Sequence, residues 1–260
     1  MVFAKLLRRT RPALPAIPEG QRVYAVGDIH GRLDLLERLL GRIEADDRGR
    51  GAADTQLIFL GDYVDRGPAS RGVIDRLIAL RDEGPSTRFL IGNHEQLFLK
   101  VIDGDESSMR SFLRIGGRET LFSYGIEPVT YRSSSRDDLL AMIPEHVPAA
   151  HRAFLASLES MIELGDYLFV HAGIKPGRPL HEQTTSELCW IRGEFLDHRE
   201  SFGRIVVHGH TVMDEPDVRS NRIGIDTGAF ETGRLTALGL EGGDRWFLAT
   251  QPMHLGDGPA

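Results

Sequence analysis

The chain has 260 residues, 41% of them hydrophobic and 27% charged, with 38 acidic against 31 lysine and arginine side chains and a formal net charge of −7. That balance suits a large α/β unit with a real core, argues against a surface built to grip nucleic acid, and offers no stretch near the roughly 18 apolar residues of a membrane span. The lone cysteine, Cys189, excludes an internal disulfide and a thiolate metal cluster and fits a reducing cytoplasm.

Residues 1–20 stand apart. Lys5, Arg8, Arg9 and Arg11 follow a short apolar opening and precede Pro12, Pro15 and Pro18. A signal peptide places its basic residues before the apolar run, so this order reads instead as a flexible tail. From residue 21 to 251 the pattern is that of a single domain. Val23 to Val26 reads as a strand ending in Gly27-Asp28-Ile29-His30-Gly31. Leu33, Leu36, Leu39, Leu40 and Ile43 then recur at helical spacing. After a polar loop from Arg48 to Asp54, Gln56 to Leu60 forms a second apolar strand. It opens directly into Gly61-Asp62-Tyr63-Val64-Asp65-Arg66-Gly67. A second helical run covers Val73, Ile74, Leu77, Ile78 and Leu80, and a third strand, Arg88 to Ile91, meets Gly92-Asn93-His94-Glu95. This βαβαβ alternation predicts a parallel sheet whose strand ends converge on one ligand site.

Residues 101–160 break the pattern and read as a helical insertion, with helices around Phe112 to Tyr124, Asp137 to Ile143 and Ala149 to Leu158. Met161 to Leu164 and Tyr167 to Val170 flank a Gly165-Asp166 turn, a hairpin signal, and His171-Ala172-Gly173 follows. A short helix is expected around Ser186 to Leu196. Ile205 to Val207 then ends in His208-Gly209-His210-Thr211. Arg222 to Asp226, Leu235 to Leu240 and Trp246 to Thr250 read as strands of a second sheet, and residues 252–260 as a loose tail.

Five of the ten histidines, His30, His94, His171, His208 and His210, stand at or just past strand ends, with Asp28, Asp62 and Asn93 in the same topological place. One histidine there is ordinarily structural. Five beside two carboxylates and an amide point to a metal site, and nitrogen and oxygen donors without thiolate suit Mn, Fe or Zn. More than four donors implies two ions sharing a carboxylate.

The five motifs around Asp28, Asp62, Asn93, His171 and His210, in this order, resemble the series of the PPP-type serine/threonine phosphatases, within the calcineurin-like metallophosphoesterases. The short bacterial and phage protein phosphatases look nearest, and the symmetrical diadenosine tetraphosphate hydrolases share the series. The resemblance implies an α/β fold of two mixed β-sheets packed as a sandwich and flanked by helices. It implies that Asp28 and His30 hold one divalent ion, that Asn93, His171 and His210 hold the other, that Asp62 bridges them, and that His208 lies one layer out. Mn2+ is the expected metal, with Fe or Zn as alternatives. Arg66 and Arg192 would clamp phosphate, and His94, oriented by Asp65, would protonate the leaving oxygen. A water shared by the ions would have its pKa lowered toward ~7. The implied activity is hydrolysis of phosphate monoesters, with phosphoserine and phosphothreonine of a phosphoprotein or phosphopeptide as substrate. The alternative is hydrolysis of dinucleoside polyphosphates. A metal-binding protein without turnover could dispense with His94, Asp65 or Arg66, and all three are present. Cys189 is left as a packed apolar residue. Neither nucleic acid nor stable membrane insertion is expected, and the oligomeric state is not encoded in these patterns.

Overall fold

The computed structural model describes residues 14–84 and 86–251; residues 1–13 and 252–260, read as tails, lie outside the described residues. The first half alternates as its periodicity predicts: β1 (Gln21–Val26), α1 (Leu33–Gly49), β2 (Asp54–Phe59), α2 (Ser70–Asp82), β3 (Thr87–Phe89) and α3 (Asn93–Ile102). Five short helices make the insertion: α4 (Glu106–Arg114), α5 (Gly117–Ser123), α6 (Pro128–Ser133), α7 (Arg136–His146) and α8 (Ala149–Ala156). The second half runs β4 (Met161–Leu164), β5 (Tyr167–Val170), α9 (Thr185–Trp190), α10 (Gly193–Leu196), β6 (Ile205–His208), β7 (Asp217–Val218), β8 (Arg222–Gly224), α11 (Ala229–Thr232), β9 (Thr236–Glu241) and β10 (Asp244–Ala249). No helix among the described residues is long and apolar enough to cross a membrane.

Two five-stranded mixed sheets result, ordered β10-β9-β1-β2-β3 and β4-β5-β6-β8-β7. In the first, β1, β2 and β3 pair in parallel. In the second, β5, β6 and β8 do so. Alternate residues of β1 serve two cores. Val23 and Ala25 face Phe169, Val207 and Ile223 of the other sheet, while Tyr24 and Val26 face Leu36, Leu39 and Val73 of the helices. Burial on both faces is why β1 is apolar almost throughout. Phe112, Leu121, Ile143 and Phe154 of the insertion join the helical core, so the insertion shares the hydrophobic interior.

Three expectations change. The strands around Leu235–Leu240 and Trp246–Thr250 belong to the first sheet, because β9 takes the edge of β1 that β2 leaves free, in antiparallel register with Ala25 opposite Leu238. Alternation identified them as strands, but it does not encode which edge they meet. The expected helix over Ser186–Leu196 is two helices, broken where Arg192 adopts φ −136° and ψ −99°. Residues 14–20, expected as tail, pack on the sandwich. Ile17 is 4% exposed in the core between the sheets, its N–H donates to Gly242 O, and Ala16 N donates to Asp166 Oδ2 at 2.9 Å.

Candidate active site

The parallel strands deliver the site. Chain segments leaving β1, β2, β3, β5, β6 and β8 all emerge from the same ends of their sheets and carry Asp28 and His30, Asp62, Asn93, His171, His210 and Asp226 respectively. These segments turn hard to aim their side chains. Among the described residues, the non-glycine residues with positive φ are His30, Asp62, Asp65, Arg66 and His210, at 47°, 52°, 72°, 67° and 63°. All five lie in this site, and such conformations persist only where the surroundings hold them. The glycines serve close approach. A Cβ on Gly92 would stand 2.2 Å from Asp62 Oδ1, and one on Gly209 would stand 2.0 Å from Asp28 Oδ1.

Asp62 is central, with one oxygen toward each of two donor groups. Its Oδ2 lies 3.6 Å from His30 Nε2. Its Oδ1 lies 3.4 Å from His171 Nε2. On the second side His171 Nε2 is 3.0 Å from Asn93 Oδ1 and 3.2 Å from His210 Nδ1, which is itself 2.8 Å from Asn93 Oδ1. The groups His30, Asp62 and His94, and Asp62, His171 and His210, are each compact enough to hold a metal ion. Carbonyl groups fix the tautomers: His30 Nδ1 donates to Val64 O and His171 Nδ1 to Leu60 O, at 2.9 and 2.8 Å. Each Nε2 is left with its lone pair toward Asp62. Asp28 Oδ1 and His30 Nε2 are buried with no hydrogen-bond partner, while Asp28 Oδ2 accepts from His210 N at 3.0 Å. Lone pairs converging in this way suit divalent cations, and nothing here supplies a thiolate.

The charges agree. Burial, then the neighbouring Asp226 and Asp62, push the Asp28 carboxyl well above its usual range. Burial also acts to raise Asp62, but His171, His94 and His30 around it hold it well below. Burial, then His94, lowers His30, while burial and His171 bring His210 down to about 2. Burial acts to lower His171 as well, but the Asp62 charge outweighs it and its net direction is up; this tight coupling of imidazoles to clustered carboxylates suits a cation between them.

His94 has its Nδ1 2.7 Å from Asp65 Oδ2, which leaves Nε2 3.7 Å from Asp62 Oδ2 and 3.3 Å from Arg66 Nη2. Burial lowers the His94 pKa, yet Asp62 and Asp65 outweigh it and the net direction is up. The Arg66 guanidinium lies over the Phe230 ring at 4.5 Å. Arg192 sits exposed on the rim, between α9 and α10, near enough for its charge to help lower His210. His208 is buried outside this group: its ring meets Phe195 edge-on at 5.0 Å and its Nδ1 donates to Gly209 O. Cys189 is buried, its Sγ donating to Ile91 O at 3.3 Å, and burial pushes the thiol far up.

Several contributors were not singled out from sequence. Glu95 is fully buried and accepts from four backbone N–H groups, those of Asp62, Tyr63, Val64 and Gly92, clamping the Asp62 loop to α3. Burial and the Asp62 charge raise it to about 7 despite those donors. Its place three residues after Gly92, from which its carboxylate reaches back to Gly92 N at the start of α3, was the available signal. Asp226 follows β8 and stands two residues before Gly228, as His171 stands two before Gly173. Thr120 of α5 donates to Asp65 Oδ1 at 2.6 Å and accepts from Asp65 N at 2.8 Å. Nothing local marks it.

Comparison with known proteins places this geometry in a family. A symmetrical bis(5'-nucleosyl)-tetraphosphatase of Acidovorax sp. (strain JS42) is 36% identical over 184 residues, covering 70% of this chain and 53% of the relative. The chain thus spans about half the length of that relative. The asymmetrical bis(5'-nucleosyl)-tetraphosphatase PrpE of Anoxybacillus flavithermus (strain DSM 21510 / WK1) is 28% identical over 233 residues, 82% of this chain and 88% of the relative. A crystal structure described as a putative diadenosine tetraphosphatase superposes with a TM-score of 0.61 at 23% identity, over 91% of this chain and 98% of that one. These relatives are named for dinucleoside tetraphosphates, which corrects the expectation of a phosphoprotein or phosphopeptide substrate. The two sheets with their flanking helices, the converging strand ends and a family model matching residues 21–235 lead to one conclusion: the chain belongs to the calcineurin-like phosphoesterase family.

Proposed function

We propose that the chain hydrolyses dinucleoside polyphosphates at a centre of two divalent ions. The observation that carries this reading is Asp62, with one carboxylate oxygen toward each of two donor groups. Asp28, His30 and Asp62 would hold one ion, and Asp62, Asn93, His171 and His210 the other, with Mn2+ the proposed metal. When bound, the ions supply Lewis-acid polarisation of a phosphoryl group and a more acidic water. The chain does the rest. Arg66 and Arg192 bind phosphoryl oxygens that gain charge during in-line displacement. Asp65 keeps the His94 ring oriented with Nε2 into the cleft, and His94 passes a proton to the leaving phosphate oxygen. The rim supports a nucleotide substrate. Trp190 is 40% exposed, 6.5 Å from the His210 ring, and pinned by Nε1–H donating to Gln96 Oε1 at 2.8 Å. A fixed indole beside a phosphate-handling centre suits stacking of a nucleobase.

The test is chromatography of products from diadenosine tetraphosphate beside a phosphopeptide. Efficient turnover of the dinucleotide is expected. ADP alone means symmetrical cleavage, and ATP with AMP means asymmetrical cleavage. Preference for the phosphopeptide would overturn the proposal. Trp190→Ala should raise KM for the dinucleotide about tenfold, since stacking contributes about 1–3 kcal/mol per base. An unchanged KM would remove Trp190 from substrate recognition.

A further inference from the structure

We propose that the chain carries a second oxyanion site, apart from the metal centre, in a cavity of about 180 Å³ beside the segment His208–Thr211. Its key is Arg222 on β8, only 4% exposed. Nη2 donates to Asp217 Oδ2 at 2.9 Å, while Nε and Nη1 are buried without an acceptor. Asp217 is shared, with Arg219 Nε on its other oxygen at 2.6 Å. Arg199 brings a third guanidinium to the same cavity, and Asp197 is the other carboxylate there. Three cations against two anions leave one positive charge in excess. A buried guanidinium with unmade hydrogen bonds carries a desolvation cost that an anion would remove.

The remaining groups narrow the chemistry. Thr211 and His208 line the cavity, and Thr211 Oγ1 and His208 Nε2 are buried without a hydrogen-bond partner. The carbonyl of Gly209 can only accept, so His208 Nδ1, 3.0 Å away, carries the ring proton and Nε2 keeps a lone pair. A phosphoryl oxyanion with one protonated oxygen satisfies every group: its bare oxygens accept from Arg222 and Thr211, and its P–OH donates to His208. A water molecule satisfies fewer of them and leaves the charge unbalanced. The occupant is therefore free phosphate or the terminal phosphate of a mononucleotide. It would brace the segment carrying His210, whose N–H is tied to Asp28 Oδ2. This inference goes beyond the proposed hydrolysis; only the site count and the inhibition control below rest on that reading.

The experiment titrates the metal-loaded protein calorimetrically with inorganic phosphate and, separately, with AMP. Two saturable phosphate sites per chain are expected, one at the metal centre and one in the cavity. If AMP instead of phosphate fills the cavity, the site stands with a nucleotide as its source. Arg199 and Arg219 are exposed at the cavity, so the double substitution Arg199→Ala with Arg219→Ala tests the site without disturbing the core. It should weaken the second site at least tenfold while leaving phosphate inhibition of p-nitrophenyl phosphate hydrolysis unchanged. Arg222→Gln should abolish that site; if this variant does not fold, the double variant carries the test. Phosphate and AMP binding left undiminished in the double variant would overturn the proposal, whatever the metal centre binds.

Discussion

At the scale of single residues the site is a store of strain. His30, Asp62, Asp65, Arg66 and His210 hold positive φ, at a cost of about 1–3 kcal/mol each. What offsets that cost is convergence, and Asp62 is its pivot. Losing an outer-shell partner of a metal ligand already costs about 10- to 100-fold in metal affinity. Asp62→Asn should therefore lower metal content at both positions together by more than that, with activity lost. Elemental analysis checks it, and two retained ions would end the bridging assignment. His94 tests the chemistry. General acid catalysis is worth about 100- to 10,000-fold, so His94→Asn should lower kcat by about 100-fold or more on an alkyl phosphate monoester, whose alkoxide leaves poorly without a proton. The cost on p-nitrophenyl phosphate, whose leaving group departs without a proton, should be clearly smaller. Equal losses would mean that His94 positions the phosphate instead.

At the scale of elements, each strand end followed by glycine was legible because donor and turn are neighbours in sequence. The reach of α5 into the site was not. Thr120 lies 55 residues from Asp65 and bonds it twice, and Gly116, just before α5, accepts from Arg66 N. The insertion therefore braces the loop that aims His94 and Arg66. Thr120→Val keeps the shape and removes the hydroxyl, leaving Asp65 Oδ1 short of a partner and Asp65 N with Ser70 Oγ alone. That should cost about 1–3 kcal/mol of stability, and kcat should fall while KM for the dinucleotide stays nearly constant. Thermal unfolding beside steady-state kinetics reads both. A loss confined to stability would reduce Thr120 to packing.

At the scale of the whole molecule, the site joins the two sheets. Asp28, Asp62 and Asn93 come from the first and His171 and His210 from the second, so an ion held between them links the halves of the sandwich. An ion present at 100 times its Kd stabilises by about 2.7 kcal/mol. For a domain of this size that is roughly 5–10 °C in Tm per ion. Chelation with EDTA should lower Tm by that order, and restored Mn2+ should recover it. An unchanged Tm would mean that the donor groups bind no metal in the folded protein.

The sequence by itself determined the metal-competent motifs, their order and the parallel βαβαβ half, because each depends on residues within a few positions of one another. Tertiary structure decided that the β9–β10 hairpin joins the first sheet, that Ile17 packs between the sheets and that Thr120 and Glu95 hold the loop carrying Asp62 and Asp65. It also turned His208 away from the metal group, against Phe195. These outcomes rest on which free edge, cavity or buried N–H a distant segment meets after collapse. Hydrophobic periodicity reports that a face will be buried; it does not name the partner that buries it.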